Sequence, residues 1–416
     1  MLIDVFVVSI MIILFESKIV GQKNYLPFSP LFIFMAAYNL IFVIPTILIA
    51  LPGGELFYMA RLDVSYYDTY LNYNRVFFYF FCCLTILSFD KTKTIFKKKQ
   101  ITKIVPRSWV LFLFFLAFIA KFVYLGTGLG FNPVLILERI IYPREFTSIK
   151  VGTGLINYLQ TALTLLTYFM AAILYQQKKN SINLILLVLA ALLFFVAGAK
   201  QQVIWLAFVY IMLKNKGNNS VDFNLVKNIK YLLAICTLVV FSFAIMIVRA
   251  DNDSLLEKLV KYQRESYYSA LVLSDYDWQL EYSINGVVDT IASPIPRSLW
   301  PDKPFLGYYN RYWRQRYEPK TVRYHTSTFG FIAESHMLVG SLGSILYAFI
   351  FFLLVKYCYV GFLRSSSYIG VFFPIYLTTL LYFFLRSGFT GFTLVNTLFT
   401  LIICVLTVRK IYRLRY

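Results

Sequence analysis

The sequence predicts an all-α polytopic membrane protein of about eleven transmembrane helices (ten to twelve), carrying one large extracytoplasmic loop. Three observations predict it. Of 416 residues, 59% are hydrophobic and only 14% charged, where a soluble chain is about a quarter charged. The mean hydropathy is +0.67, and the apolar residues fall in runs close to the roughly 20 needed to cross a hydrocarbon core. The basic residues between those runs collect on alternate connections, as the positive-inside rule requires. An ordinary soluble enzyme, a disordered chain and a fibrous one are thereby excluded.

The predicted spans are 2–16, 27–51, 73–89, 107–125, 153–175, 181–198, 201–214, 230–249, 333–355, 367–386 and 392–409. The first lacks a basic n-region and a small-residue cleavage site, so it is expected to be a retained span and not a signal peptide. Lys18 and Lys23 follow it. The basic clusters Lys91 to Lys103, Lys178–Lys179, Lys214 to Lys230, Lys356 to Arg364 and Arg409 to Arg415 all fall on one side, which is therefore cytoplasmic. With eleven spans the C-terminus lies inside and the N-terminus outside. The chain divides into helices one to eight (1–249, with an outer loop at 126–152), the large outer loop (250–332), and the last three helices with a basic tail (333–416).

Net charge is +20. In a soluble domain that would suggest nucleic acid; here much of it is cytoplasmic bias, and no nucleic-acid partner is expected. The remainder lies outside. Residues 251–289 hold eight acids and three bases, whereas 290–323 hold seven bases and two acids. The five cysteines sit in or beside apolar runs and the long loop has none, so no disulfide framework is expected. With only His325 and His336, a multi-histidine metal site is excluded within one chain. No Walker loop, GxGxxG or HExxH occurs. Neither metal nor cofactor is predicted.

The loop 126–152 opens with a flexible GTGLG. Leu135, Ile136, Ile140 and Ile141 against Glu138, Arg139 and Arg144 predict a short amphipathic helix on the membrane, or a solvated connector. In the large loop, four prolines between Ser293 and Pro304 stiffen a backbone that presents Arg297, Asp302 and Lys303 beside Trp300. Arginine forks onto phosphate oxygens and lysine adds a point charge, so Arg297 and Lys303 are candidate diphosphate ligands. The competing reading is contact with lipid headgroups or with the acidic first half of the loop.

Arg311 and Arg314, sharing a helical face, alternate with Tyr312 and Trp313. Aromatic faces beside bases suit sugar rings, and Trp300 extends the set; the same residues also suit an interfacial belt. The stretch Arg323 to His336 leads into the ninth span. Glu334 and His325 are candidate bases for a sugar hydroxyl. Glu334 reads equally as an ion-pair partner of Arg249 or Lys200, and His336 as a polar bundle contact. Lys200, in the turn Gly198-Ala-Lys-Gln-Gln202, and Arg249 are further candidate anion ligands. Lys121 and Arg386 are expected to snorkel.

The string Ile295-Pro-Arg-Ser-Leu-Trp-Pro-Asp-Lys-Pro304, followed by Thr328-Phe-Gly-Phe-Ile-Ala-Glu334 and a span containing Gly340 and Gly343, resembles the Wzy-type oligosaccharide repeat-unit polymerases. These include O-antigen, enterobacterial common antigen and capsule polymerases. The resemblance implies a GT-C-like bundle in the bacterial cytoplasmic membrane with its active site on the extracytoplasmic face. Such an enzyme joins sugar repeat units carried on undecaprenyl diphosphate, without metal or nucleotide. It implies a diphosphate-binding role for Arg297 and Lys303, with Lys200 as a further cation, and a catalytic role for Glu334; Arg249 and Arg139 are further candidate diphosphate ligands read from the sequence itself. Relatives often carry arginine where Lys200 stands. Expected partners are the lipid-linked oligosaccharide, membrane lipid, a chain-length regulator and a flippase. An O-antigen ligase and a lipid-linked oligosaccharide flippase are the alternative readings.

Overall fold

The computed structural model describes residues 2–19, 29–49, 64–90, 105–127, 129–141, 154–195, 206, 208–214, 265–292, 295, 300, 308–317, 330–365, 367–389, 398, 400–402 and 404–406, and the apolar runs among these residues are helices. Every regular element among these residues is helical. The helices are α1 (Ile3–Ile19), α2 (Pro30–Tyr38), α3 (Ile44–Ile49), α4 (Val64–Asp90), α5 (Arg107–Gly126), α6 (Pro133–Ile141), α7 (Gly154–Gln177) and α8 (Ser181–Phe195). They continue with α9 (Glu265–Asp275), α10 (Leu280–Ala292), α11 (Tyr308–Tyr317), α12 (Gly330–Val339), α13 (Gly343–Arg364) and α14 (Tyr368–Ser387). Five stretches among the described residues are long and apolar enough to cross a membrane: Pro30–Ile47, Arg107–Gly126, Leu159–Gln177, Gly330–Arg364 and Gly370–Ser387. The predicted span 230–249 lies outside the described residues.

Local chemistry explains the irregularities. Ser29 caps α2, its hydroxyl accepting from the Phe32 amide at 2.9 Å. Pro45 has no amide proton to donate back along the helix, and the chain between α2 and α3 widens into a π turn, Asn39–Val43. The Asn39 amide uses that widening to donate to Ser9 Oγ at 2.6 Å, tying α1 to α2. In α14, Pro374 seats against Gly361 of α13, where a Cβ would come within 2.6 Å of its ring.

The main core is a stack of aromatic rings between α2, α4, α12 and α13. Phe34 stacks on Phe81 at 4.3 Å, Phe77 meets Phe331 at 4.6 Å, and Phe331 meets Phe351 at 5.1 Å. A second packed group joins α5, α7 and α8. There Lys121, expected to snorkel, is buried instead: its ammonium donates to Gln160 Oε1 at 2.8 Å. Gln160 in turn donates to Asn157 and Thr161, so α7 supplies an acceptor and no path to water is needed.

The predicted ninth span is not one straight helix. Glu334 and Tyr347 are thirteen positions apart yet hydrogen-bond at 2.7 Å, where a straight helix would separate them by about 20 Å. Phe331 and Phe351 would lie about 30 Å apart in one helix, yet their rings touch. Accordingly, α12 and α13 form an antiparallel hairpin closed by the 3₁₀ turn Gly340–Leu342. Two glycines permit it. Gly340 has φ +65°, and a Cβ on Gly343 would overlap the Ser335 carbonyl and the Tyr73 hydroxyl. The first leg has ten residues and the second has 22. Of the two legs, only α13 has the length of a full crossing, about 33 Å.

Most described residues of the segment predicted as a large loop are helical; Tyr276 to Gln279, Ile295 and Trp300 are not. Its first helix belongs to the bundle: α9 packs against α4 and α12, and its Ala270 and Leu273 join the main core.

Candidate functional site around the α12–α13 hairpin

Glu334 points from α12 into the crevice between the hairpin and the end of α14, and is only 1% exposed. Its Oε1 accepts two hydrogen bonds, from the Tyr347 hydroxyl at 2.7 Å and from the Phe389 amide at 2.6 Å. The Phe389 amide reaches it because Gly388 ends α14 with φ 73° and ψ −172°, a region essentially restricted to glycine. A Cβ on Gly388 would overlap the carboxylate. One carboxylate therefore joins three elements. Next to it, Tyr73 of α4 and Ser335 share a hydrogen bond at 2.9 Å, and the Tyr73 hydroxyl also donates to the Gly340 carbonyl at 3.3 Å. His336 turns to the other side of α12. Its Nε2 lies 3.3 Å from the Tyr276 carbonyl, and its ring meets Tyr73 and Tyr276 edge-on, the polar bundle contact expected of it.

The helices after Glu265 are built onto this hairpin. Tyr268, Val272, Tyr276 and Tyr309 pack with Ala333 and Met337 of α12 in a separate small core. Tyr312 meets Tyr276 edge-on at 5.0 Å. Tyr309 lies against Gly286 of α10, where a Cβ would overlap its phenol. Arg311 pairs with Asp289 at 2.8 Å, and Arg316 with Asp275 at 3.6 Å. The basic and acidic halves of the segment are thus paired at two places. Arg314 is half-buried on the same helix. The Trp278 indole donates to Ser283 Oγ at 2.9 Å and to the Leu338 carbonyl at 3.1 Å, fastening the start of α10 to the hairpin.

Of the predicted site residues, Arg311, Tyr312 and Arg314 share α11, which packs against α10 and joins α12, the helix bearing Glu334, through the small core of Tyr309, Ala333 and Met337. Trp300 is half-buried. Arg139, on the predicted amphipathic helix α6, is buried, its guanidinium donating to the Leu125 and Thr127 carbonyls at 2.8 and 3.2 Å and lying 4.9 Å over the Tyr124 ring. It closes the C-terminal end of α5. Arg297, Lys303, Arg249, Lys200 and His325 lie outside the described residues, as does the side chain of Trp313. Sequence reasoning missed Tyr347, Gly388 and Phe389 as partners of Glu334, and Asp289 as the partner of Arg311. Gly388, just past Arg386 in the last turn of α14, was legible as a helix stop, though not as the seat of a carboxylate 54 positions earlier. Among the described residues, no three His, Cys, Asp or Glu side chains come together as a metal site.

Fold and site together define a helical membrane protein with a buried carboxylate at the meeting point of a hairpin, a helix end and a tyrosine-lined group of short helices. The chain matches no protein family, no curated protein and no solved structure.

Proposed function

We propose that the protein is a lipid-linked-sugar-dependent glycosyltransferase, a polymerase that joins undecaprenyl-diphosphate-linked oligosaccharide repeat units into a bacterial surface polysaccharide. In this reading it is inverting and metal-independent and acts on the extracytoplasmic side of the cytoplasmic membrane. The observation that carries the reading is the small core in which Tyr309 of α11, the helix of Arg311, Tyr312 and Arg314, packs with Ala333 and Met337 of α12, the helix of Glu334. Bases and aromatic faces suited to an anionic glycan are thereby attached to the helix holding the candidate base. The resemblance of residues 295–304 and 328–334 to repeat-unit polymerases supports it.

In the proposed reaction an acceptor hydroxyl oxygen attacks the donor's anomeric carbon, a new glycosidic bond forms, and the bond to the lipid diphosphate breaks. The hydroxyl proton passes to a carboxylate, and the lipid diphosphate leaves with the electron pair. The transition state has oxocarbenium character. Negative charge grows on the leaving diphosphate, so fixed cations such as Arg297 and Lys303 lower the barrier more than they tighten substrate binding. Two donors on Glu334 Oε1 fix the orientation of its carboxylate, which suits a base. The same bonds hold α14 to the hairpin, which suits a structural residue.

Two experiments test this. Deleting the gene and resolving the surface glycan on a gel should abolish the ladder and leave single repeats. Loss of every capped lipid would instead mean an O-antigen ligase, and loss of translocated repeat units a flippase. Glu334→Gln should abolish polymerisation while the protein stays folded and binds substrate. A stable, fully active Glu334→Gln enzyme would end its role as base and transfer it to His325.

A further inference from the structure

α10 presents three different faces. At about 100° per residue, Ser283, Gly286 and Asp289 form one side, and each is engaged: Ser283 with Trp278, Gly286 with Tyr309, Asp289 with Arg311. Asn285 stands on a second side and is exposed. Leu280, Ile284, Val287 and Val288 form the third, within an arc of about 100°, and are 62%, 54%, 41% and 55% exposed. Four large apolar side chains in a row on a polar segment are a surface awaiting a partner.

Two features of the structure say which partner. The start of α10 is fastened by Trp278 to the closed end of the hairpin, where Trp278 packs 3.2 Å from the position of a Gly340 Cβ. That end is also the start of α13, whose 22 residues span about 33 Å, close to the roughly 30 Å of a hydrocarbon core. Trp278 therefore stands at the hydrocarbon boundary, where tryptophan collects. From that same end Leu342 of the turn and Ile345, Leu346 and Phe349 of α13 are also exposed, so large apolar side chains are offered to the surroundings on both elements.

We propose that α10 is a membrane-surface helix, with Leu280, Ile284, Val287 and Val288 set into the acyl-chain boundary of the leaflet at the Gly340 end of the bundle. Its engaged face holds α11, through Tyr309 and the Arg311–Asp289 pair, so the arginines of α11 are fixed at headgroup level. α10 contains Glu281 and Asp289 and neither lysine nor arginine, so its insertion rests on apolar burial and needs no anionic lipid. None of this depends on the proposed glycosyl transfer.

The test places an environment-sensitive fluorescent amino acid at position 284, 285 or 288 of the full chain, reconstituted in phosphatidylcholine nanodiscs. At 284 and 288 the emission should shift to the blue and be quenched by nitroxide on the lipid acyl chains. At 285 it should resemble the fluorophore in water and be quenched by iodide. Water-like emission at 284 and 288 would overturn the proposal. Protection of both from lipid nitroxide and iodide would also overturn it, since protein, from this chain or a second copy, would then cover the stripe. Should a probe at 284 disturb assembly, 288 reads the same stripe.

Discussion

Replacing Gly388 by alanine should destabilise the protein through two separable effects. The backbone there, φ 73° and ψ −172°, costs a non-glycine residue about 1–3 kcal/mol. The added Cβ also overlaps the Glu334 carboxylate, which must move off Tyr347 and the Phe389 amide. Leaving a buried donor unsatisfied costs about 1–3 kcal/mol, so displacing the carboxylate from even one partner brings the expected cost of Gly388→Ala to about 2–6 kcal/mol. Glu334→Ala removes the obstruction but leaves two buried donors without this acceptor, at about 1–3 kcal/mol each. In that background Gly388→Ala should cost only the backbone part, about 1–3 kcal/mol. The double-mutant cycle should therefore show a coupling of roughly 2 kcal/mol. Reversible unfolding in mixed detergent micelles, followed by circular dichroism, measures all four corners. Additivity of the two substitutions within about 0.5 kcal/mol would refute the joining of helix end and hairpin through this carboxylate.

Three further outcomes follow from the proposed chemistry and topology. A cysteine at position 285 should react with an impermeant maleimide in intact cells or spheroplasts, and one at 412 should not; the reverse pattern would defeat the orientation. Arg297→Ala and Lys303→Ala should each reduce polymer by at least tenfold at normal expression, and Arg297→Lys should recover little because the guanidinium fork is lost; wild-type polymer from Arg297→Ala would remove the diphosphate role. Turnover of lipid-linked repeat units by purified protein should persist in EDTA, and activity lost to chelator and restored by magnesium would show that the leaving group is stabilised by a metal.

Helix content was legible because apolar run length is a one-dimensional property. α5 begins and ends within a residue of its predicted span, and α7 and α14 within two. Burial of polar groups was less legible, because it depends on what a neighbouring helix offers. Lys121 reads as a snorkelling lysine until Gln160 is beside it. Arg311 reads as a free cation for a ligand until the fold brings Asp289 to it from 22 positions away. The acidic and basic halves of the segment after Asp251 were visible as a charge asymmetry, and the α10–α11 contact is where part of that asymmetry is neutralised.

The hairpin shows most sharply what hydropathy leaves out. A run such as Gly330 to Arg364 scores the same whether it crosses straight through lipid or doubles back inside the bundle, since an aromatic-lined core and a bilayer are equally apolar to each residue. The sequence did contain a distinguishing mark. Glu334, Ser335 and His336 stand together in the first leg, and three consecutive polar side chains facing lipid would be costly at any rotation of a helix. Folding back resolves the cost. Tyr347 comes down the second leg to meet Glu334, Tyr73 of α4 meets Ser335, and α9 brings the Tyr276 carbonyl to His336. Polar residues clustered in an apolar run, followed within one turn or two by paired glycines, therefore argue for a reversal with partners on both sides more strongly than for a single span. That pattern also locates the site, because the residues that force the chain to turn back are the ones it then gathers.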